Sequence, residues 1–365
     1  MAQSGFALHR ARCLGLVLGL GLWLGLTGAS AQPVAPSECA GTLAAPTPSL
    51  RINPDLASVS LAQGGVLPPR QLALRAGLLS PVHYLPDGRH ALLLTRSAWV
   101  LRVDLACARL VAEVRVGVQA RGAALSAARP GLPSLLAVAN AEPPTLVVLD
   151  EQLARVRQLP VVDATGRSTS GVAAIRTAPA RSSFVATLAD APELWELSYN
   201  PLAPEISVGW VHDFQYREGQ FVPGYLNPQR SSLPSPAQDL WLTDAGHEVL
   251  TLHAAPPGDD PQAGVPVQVT HLDVRRKIAE LRLPKGAVVG EAAYGRARGV
   301  VRVLVPHAGS AWVSVIDPER WVLLEPLHAT ATACLPRWDP QAALLPAQAV
   351  AAPDAPVPSG APCAP

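Results

Sequence analysis

The chain has 365 residues, 49% of them hydrophobic, and its 29 basic and 28 acidic side chains leave a formal charge of +1. That balance, with no basic block anywhere, argues against nucleic acid or an anionic membrane surface as a partner. The length is ample for a large core, and one domain can absorb it if the fold is repetitive.

Residues 1–31 read as a secretory signal peptide. His9, Arg10 and Arg12 form a basic leader, LGLVLGLGLWLGLTG an apolar core, and Ala29-Ser30-Ala31 an A-x-A cleavage site. The core is short for a spanning helix. The mature chain is therefore expected to be exported to a bacterial periplasm with no membrane anchor. Residues 32–50 look flexible, the folded body is expected over 51–345, and the Pro/Ala-rich tail 346–365 is expected to be disordered. Cys39, Cys107, Cys334 and Cys363 remain after cleavage, and in an oxidising compartment they can pair in three ways. A bond joining the two ends would suit a closed ring. No C-x-x-C occurs, so neither a thioredoxin-type pair nor a c-type haem attachment is present.

A pattern then recurs: a strand-like run ending near an acid, a short break, and a second strand-like run. It is seen as WVLRVDLACARLVAEVRVG (99–117), TLVVLDEQLARVRQLPV (145–161), LWELSYNPLAPEISVGW (194–210), VQVTHLDVRRKIAELRLP (267–284) and WVSVIDPERWVLLEPL (312–327). Asp104 and Asp150 stand 46 residues apart, and Asp273 and Asp317 stand 44 apart. Runs of small and β-branched residues precede several copies, at 89–96, 134–141, 182–189 and 300–307. Units of about 45 residues built from short antiparallel strands are the signature of propeller blades. The fold class expected is all-β, a β-propeller of about six to eight four-stranded blades, possibly incomplete, in preference to a sandwich or β-helix. Residues 56–77 read as a degenerate sixth unit that could close the ring against the C-terminal strand. No run has helical periodicity beyond the leader.

The segment VHDFQYREGQFVPGYLNP (211–228) falls in a gap of about 40 extra residues between the third and fourth copies. It gathers His212, Asp213, Phe214, Tyr216, Arg217, Phe221 and Tyr225. An imidazole can ligate a metal or move a proton, arginine pairs with carboxylates, and aromatic rings can flank a planar ligand. The competing reading is a loop whose aromatics cover an edge strand. His247, His253, His271, His307 and His328 are scattered and read as structural. Trp99, Trp195, Trp241, Trp312 and Trp321 read as packing between blades, and the repeated aspartates as Asx turns. GRARG (295–299) reads as a hairpin turn.

Three blocks resemble the haem d1-binding propeller of cytochrome cd-type nitrite reductases and of the NirN- and NirF-like haem d1 maturation proteins. They are HDFQYREGQFVPGYLNPQR with THLDVRRKIAELRLP, LPDGRHALLLTRSAWVLRVDLACARLVAEVRVGVQARG, and ANAEPPTLVVLDEQL. Together they span roughly residues 78–327. The resemblance implies a d1-type tetrapyrrole or its precursor as cofactor. It implies that His212 with Asp213 lies on the distal face of that haem as a candidate catalytic pair, and that Arg121 and Arg96 face its acidic substituents. His83 is implied as a candidate iron ligand, although Ser80 is nearer the expected register. Tyr216, Arg217 and Tyr225 complete the expected cofactor-binding set.

The chain also departs from the family. KGAVVGEAAYG (285–295) stands where a second distal histidine is usual. A later Ser-His or Thr-His motif is missing, as is a c-type haem domain. Nitrite reduction by this chain alone is therefore not expected. The expected function is binding of haem d1 or a precursor during maturation, delivery or sensing linked to denitrification, with nitrite reductase or haem d1 maturation proteins as partners. The alternative is a ligand-free propeller acting as an interaction scaffold. A quinone-dependent propeller oxidoreductase has no residue set to support it.

Overall fold

The burial of the strands shows what holds them together. His90–Thr95, Thr145–Leu149, Ser183–Leu188 and Glu193–Ser198 are buried along almost their whole length. A strand buried on both faces must lie within a sheet that is itself covered on both sides. In contrast, Arg155–Pro160 and Arg276–Leu283 are largely exposed, as the last strands of sheets at the rim would be. The computed structural model describes residues 32–33, 49–53, 58–62, 70–75, 77–207, 220–258, 260, 264–297, 300–309 and 312–328. Residues 1–31, expected to be a signal peptide, the tail 346–365, Cys39, Cys334, Cys363, His212, Asp213, Phe214, Tyr216 and Arg217 lie outside the described residues.

The strands form successive antiparallel sheets, each running in sequence order from an inner to an outer strand. Among the described residues the first blade has three strands: Ser49–Asn53, Ser58–Ala62 and Arg70–Ala73. The second comprises Leu78–Tyr84, His90–Thr95, Trp99–Asp104 and Arg109–Arg115. The third comprises Gln119–Leu125, Leu136–Glu142, Thr145–Leu149 and Arg155–Pro160. The fourth comprises Val172–Ala178, Ser183–Leu188, Glu193–Ser198 and Pro228–Ser232. The fifth comprises Ala237–Leu242, Glu248–His253, Val265–His271 and Arg276–Leu283. The sixth comprises Ala293–Ala297, Val300–Pro306, Trp312–Asp317 and Val322–His328. The first strand of the fourth blade lies against the first strands of the third and fifth. The fold is an all-β propeller.

All but one of the apolar clusters among the described residues sit between two successive blades; the exception, Leu304, Val313 and Val315, lies within the sixth. Leu92, Leu94 and Val100 of the second blade meet Leu136, Val138 and Val147 of the third. Leu146 and Val148 then meet Phe184, Trp195 and Leu197, Val185 and Leu194 meet Leu240 and Val249, and Val267 and Val269 meet Val303 and Ile316. The expected packing role of the tryptophans holds for Trp195 and Trp321, which are buried, and for Trp241, which is partly buried against the same kind of cluster. No described helix is longer than a three-residue turn of 3-10 helix.

Three corrections to the sequence reading emerge. Ile206–Ser207 is not the outer strand of the fourth blade; it pairs instead with Phe221–Val222 in a separate two-stranded ribbon. The outer strand is Pro228–Ser232, paired with Glu193–Ser198. Within the stretch read as flexible, Gln32–Pro33 adds a fifth strand to the second blade by pairing with Ala112 and Glu113, and Ser49–Asn53 opens the first blade. Among the described residues, the first blade packs on the second, and Val322–His328 pairs only with Trp312–Asp317. The expected pairing of the first unit with the C-terminal strand is not seen there.

The turns between third and fourth strands repeat one device. Ala108, Leu153, Leu226, Arg275 and Trp321 all take positive φ just before the outer strand starts. In three blades an aspartate opens that turn as expected: Asp104 Oδ1 accepts from Ala106 N–H at 2.9 Å, Asp150 Oδ1 from Gln152 at 2.9 Å and Asp317 Oδ1 from Glu319 at 3.0 Å. Asp273 does something else, described below.

Candidate functional site

Because the strands alternate in direction, every blade sends two kinds of connection to one end and two to the other. The turn between second and third strands, and the link to the next blade, share one end. Arg96 lies in the first kind of connection and Arg121 near the start of the inner strand that follows the second kind. The backbone ties them together: Arg96 N–H donates to Gly77 C=O at 2.8 Å, and Ala120 N–H donates to Arg96 C=O at 2.8 Å. Gly77, at φ +74°, lets the chain turn there, with the Arg96 Cβ only 3.7 Å from where a Cβ of its own would stand. The inner strands of the second and third blades therefore start on either side of Arg96.

Both side chains, of Arg96 and of Arg121, are exposed. No carboxylate among the described residues pairs with either one, whereas Arg75, Arg89, Arg181, Arg230 and Arg275 all hold acids. Val118, 50% exposed in the same link, places apolar surface beside them. Two unneutralised guanidiniums next to an apolar edge suit a molecule that is both flat and acidic.

His83 is on the inner strand of the second blade, but further along it. The strand bulges between Leu79 and His83, so that Leu79 faces Leu94 while His83 faces Leu92. Leu92 precedes Arg96 by four residues, which puts His83 about 13 Å along the strand direction from that turn. Its side chain is half-buried, yet desolvation pulls its pKa down to about 4, as a wall of protein around a partly open side chain does. The imidazole is neutral at pH 7 with a lone pair free to coordinate iron. A neutral buried imidazole binds fewer protons than the unfolded chain below its ordinary pKa of about 6.5. Stability should thus be complete above about pH 6.5 and fall as the pH drops toward 4, with His253, also depressed by burial, acting in the same sense. His83→Gln should flatten part of that decline, measured as urea midpoints at pH 4.5 and 7; an unchanged slope would remove His83 from the desolvated set.

Tyr225 is not at the arginine end. It follows the ribbon in the connection from Glu193–Ser198 to Pro228–Ser232, forms an isolated bridge with Ser198 and packs on the cluster between the third and fourth blades. That connection leaves the sheet at the end opposite Arg96 and Arg121. Ser207 and Gln220, the described residues flanking His212 and Asp213, belong to it. The structure brings together Arg96 and Arg121, sets His83 near the far end of its strand, and places Tyr225 at the end away from the two arginines.

His253 and His307 are structural, as expected. His253 is buried with Nε2 2.8 Å from Thr251 Oγ1 and Nδ1 3.0 Å from Ser235 Oγ. His307 Nδ1 donates to Lys285 C=O at 3.3 Å and Nε2 lies 2.8 Å from Ser314 Oγ. Cys107 is disulfide-bonded.

A family profile described as the cytochrome D1 heme domain matches residues 73–217. Dihydro-heme d1 dehydrogenase of Pseudomonas aeruginosa is 31% identical over 259 residues, covering 69% of this chain and 44% of the relative. The solved structure of dihydro-heme d1 dehydrogenase NirN in complex with DHE superposes with a TM-score of 0.65 at 26% identity, covering 82% of this chain and 58% of that one. The chain thus spans less than half the length of the curated relative it matches. With the repeated blades, the paired arginines and these likenesses together, the chain belongs to the cytochrome d1 haem-domain family of propellers.

Proposed function

We propose that this propeller binds a d1-type tetrapyrrole, haem d1 or its immediate precursor, during maturation of that cofactor. The observation that carries the reading is the hydrogen bond from Ala120 to Arg96, which holds close together two arginines without an acidic partner among the described residues. Arg96 and Arg121 would pair with the acidic substituents of the ring, and Val118 would lie against its apolar edge. His83, neutral and without a hydrogen-bond partner among the described residues, is the side chain chemically fit to hold the iron. When bound, the group would supply a metal centre with redox and ligand-exchange chemistry. The protein's part is to hold it in a fixed orientation and to shield it from water on the blade side. The matched relative and the matched solved structure are both dihydro-heme d1 dehydrogenases, which favours a role in maturation over one in nitrite reduction. The disulfide at Cys107 and the basic-apolar leader support a periplasmic setting, where nitrite reductase or other maturation proteins would be the recipients.

The test is a visible absorption titration of the mature protein with haem d1, beside His83→Ala and His212→Ala. Saturable spectral change is expected in the parent, with a loss or shift of the iron-ligand bands in His83→Ala. His212→Ala should titrate like the parent, since the residues flanking it leave the fourth blade at the other end. A changed spectrum in His212→Ala alone would move the site to that end. No change in the parent would leave the propeller as a scaffold for protein partners.

A further inference from the structure

At the end of the ring away from Arg96 and Arg121, two hairpin tips of the fifth blade meet. His247 closes the tip between Ala237–Leu242 and Glu248–His253, and His271 and Asp273 open the turn between Val265–His271 and Arg276–Leu283. In sequence the two histidines are 24 residues apart, a spacing that signals nothing. In the fold their rings stack with centroids 5.9 Å apart and planes 22° from parallel. One ligand atom from each of His247, His271 and Asp273 lies within 4.8 Å of the other two.

The arrangement is held from outside. Leu272 N–H donates to His247 C=O at 2.7 Å, which locks one tip to the other. Asp273 N–H donates to His271 Nδ1 at 3.3 Å, and His247 Nδ1 donates to Asp273 Oδ2 at 2.8 Å. Arg181, from the first turn of the fourth blade, binds the other carboxylate oxygen, Asp273 Oδ1. Its far side is engaged by Glu196, at 2.7 Å from Nε. Arg181 reaches Asp273 only by passing Gly246, where a Cβ would stand 3.0 Å from the Arg181 Cγ. Asp273 has thus abandoned the Asx-turn role that Asp104, Asp150 and Asp317 keep, and presents its carboxylate to a histidine pair.

We propose that His247, His271 and Asp273 form a binding site for a first-row divalent cation such as Zn²⁺. Two imidazoles and one carboxylate make a nitrogen-rich donor set that suits Zn²⁺ and its neighbours over Mg²⁺ or Ca²⁺. The exposure of His247 and Asp273 leaves the remaining positions to water. Binding breaks the His247–Asp273 hydrogen bond: the imidazole would keep its proton on Nε2, leaving Nδ1 and the Asp273 carboxylate to face the metal. Arg181 then acts as the outer partner that fixes the carboxylate in single-oxygen coordination. The ion would clasp the two tips of the fifth blade and, through Arg181, tie them to the fourth.

The experiment uses the mature protein carrying no polyhistidine tag, stripped with EDTA and titrated with ZnCl₂ by calorimetry. One equivalent should bind in the micromolar range. His247→Gln and His271→Gln should each weaken binding by at least the ~10–100-fold that loss of an outer-shell partner alone causes. His90→Gln, in the exposed Asp87–His90 pair of the second blade, should leave it unchanged. The parent's melting temperature should rise with added Zn²⁺, and those of the two site variants should not; melts in EDTA establish that all variants fold alike. Binding only at millimolar Zn²⁺, or equal affinity in parent and site variants, would overturn the proposal. Neither result bears on the haem d1 reading, whose residues belong to the second and third blades.

Discussion

Replacing Arg96 and Arg121 together with alanine should weaken haem d1 binding by about a hundredfold or more while leaving the fold intact. A charge-assisted hydrogen bond from a guanidinium to a carboxylate contributes about 1.5–3 kcal/mol, so two lost pairings are worth about 3–6 kcal/mol. Stability should hardly move, because both side chains are exposed and neither has a described acidic partner to strand. The two single variants should share the loss unequally if one arginine meets two carboxylates and the other meets one. Lysine at either position should restore charge but only part of the affinity, since the planar fork is gone. The measurement is the same absorption titration, repeated at low and high salt. Affinity within threefold of the parent in the double variant would mean that these arginines do not face the ligand. The observation that carries the functional reading would then fail while the family assignment stood.

The blades were legible because each is a local unit. Short antiparallel strands with tight turns leave a sequence period, and the aspartates at Asp104, Asp150 and Asp317 marked it by capping their own turns. The fourth blade misled because Ile206–Ser207 carries the same apolar pattern as an outer strand, and nothing local says that pairing is deferred to Pro228–Ser232. Arg96 and Arg121 were found through their turns, but their adjacency rests on a hydrogen bond between successive blades. The end at which residues 220–228 sit follows from strand direction, which the sequence does not report: a connection after a third strand emerges at the end away from Arg96. The cation site was hidden for a different reason. His247 and His271 become neighbours only when the second and third strands of the fifth blade pair in the register Glu248↔His271, and no periodicity in the sequence reports a register.

Trp195→Ala should cost the fold about 3–5 kcal/mol, the range for emptying a large aromatic from a packed interior. Trp195 is 1% exposed on the third strand of the fourth blade, in the cluster shared with Leu146 and Val148 of the third. Its indole N–H donates to Glu193 Oε2 at 3.1 Å, and Arg230, itself 2.7 Å from the same oxygen, lies over the ring at 4.7 Å from its centroid. Alanine removes the apolar volume, the donor and the surface on which the guanidinium rests. The strand that carries Trp195 cannot shift to refill the space, because it is paired on either side, with Ser183–Leu188 and with Pro228–Ser232. Trp195→Phe keeps much of the volume and loses the N–H, so it should cost clearly less. Urea unfolding of the three proteins distinguishes the terms: a deficit below about 1 kcal/mol in the alanine variant would show that the interface between these blades repacks freely. A full deficit has a further consequence. The cluster around Trp195 joins only the third and fourth blades, so the lost energy weakens that seam while the seam between the second and third, which positions Arg96 against Ala120, stays intact. Below its unfolding transition the variant should therefore still bind haem d1 with the parent's affinity, and a loss of both together would mean that the blades cooperate well beyond their immediate neighbours.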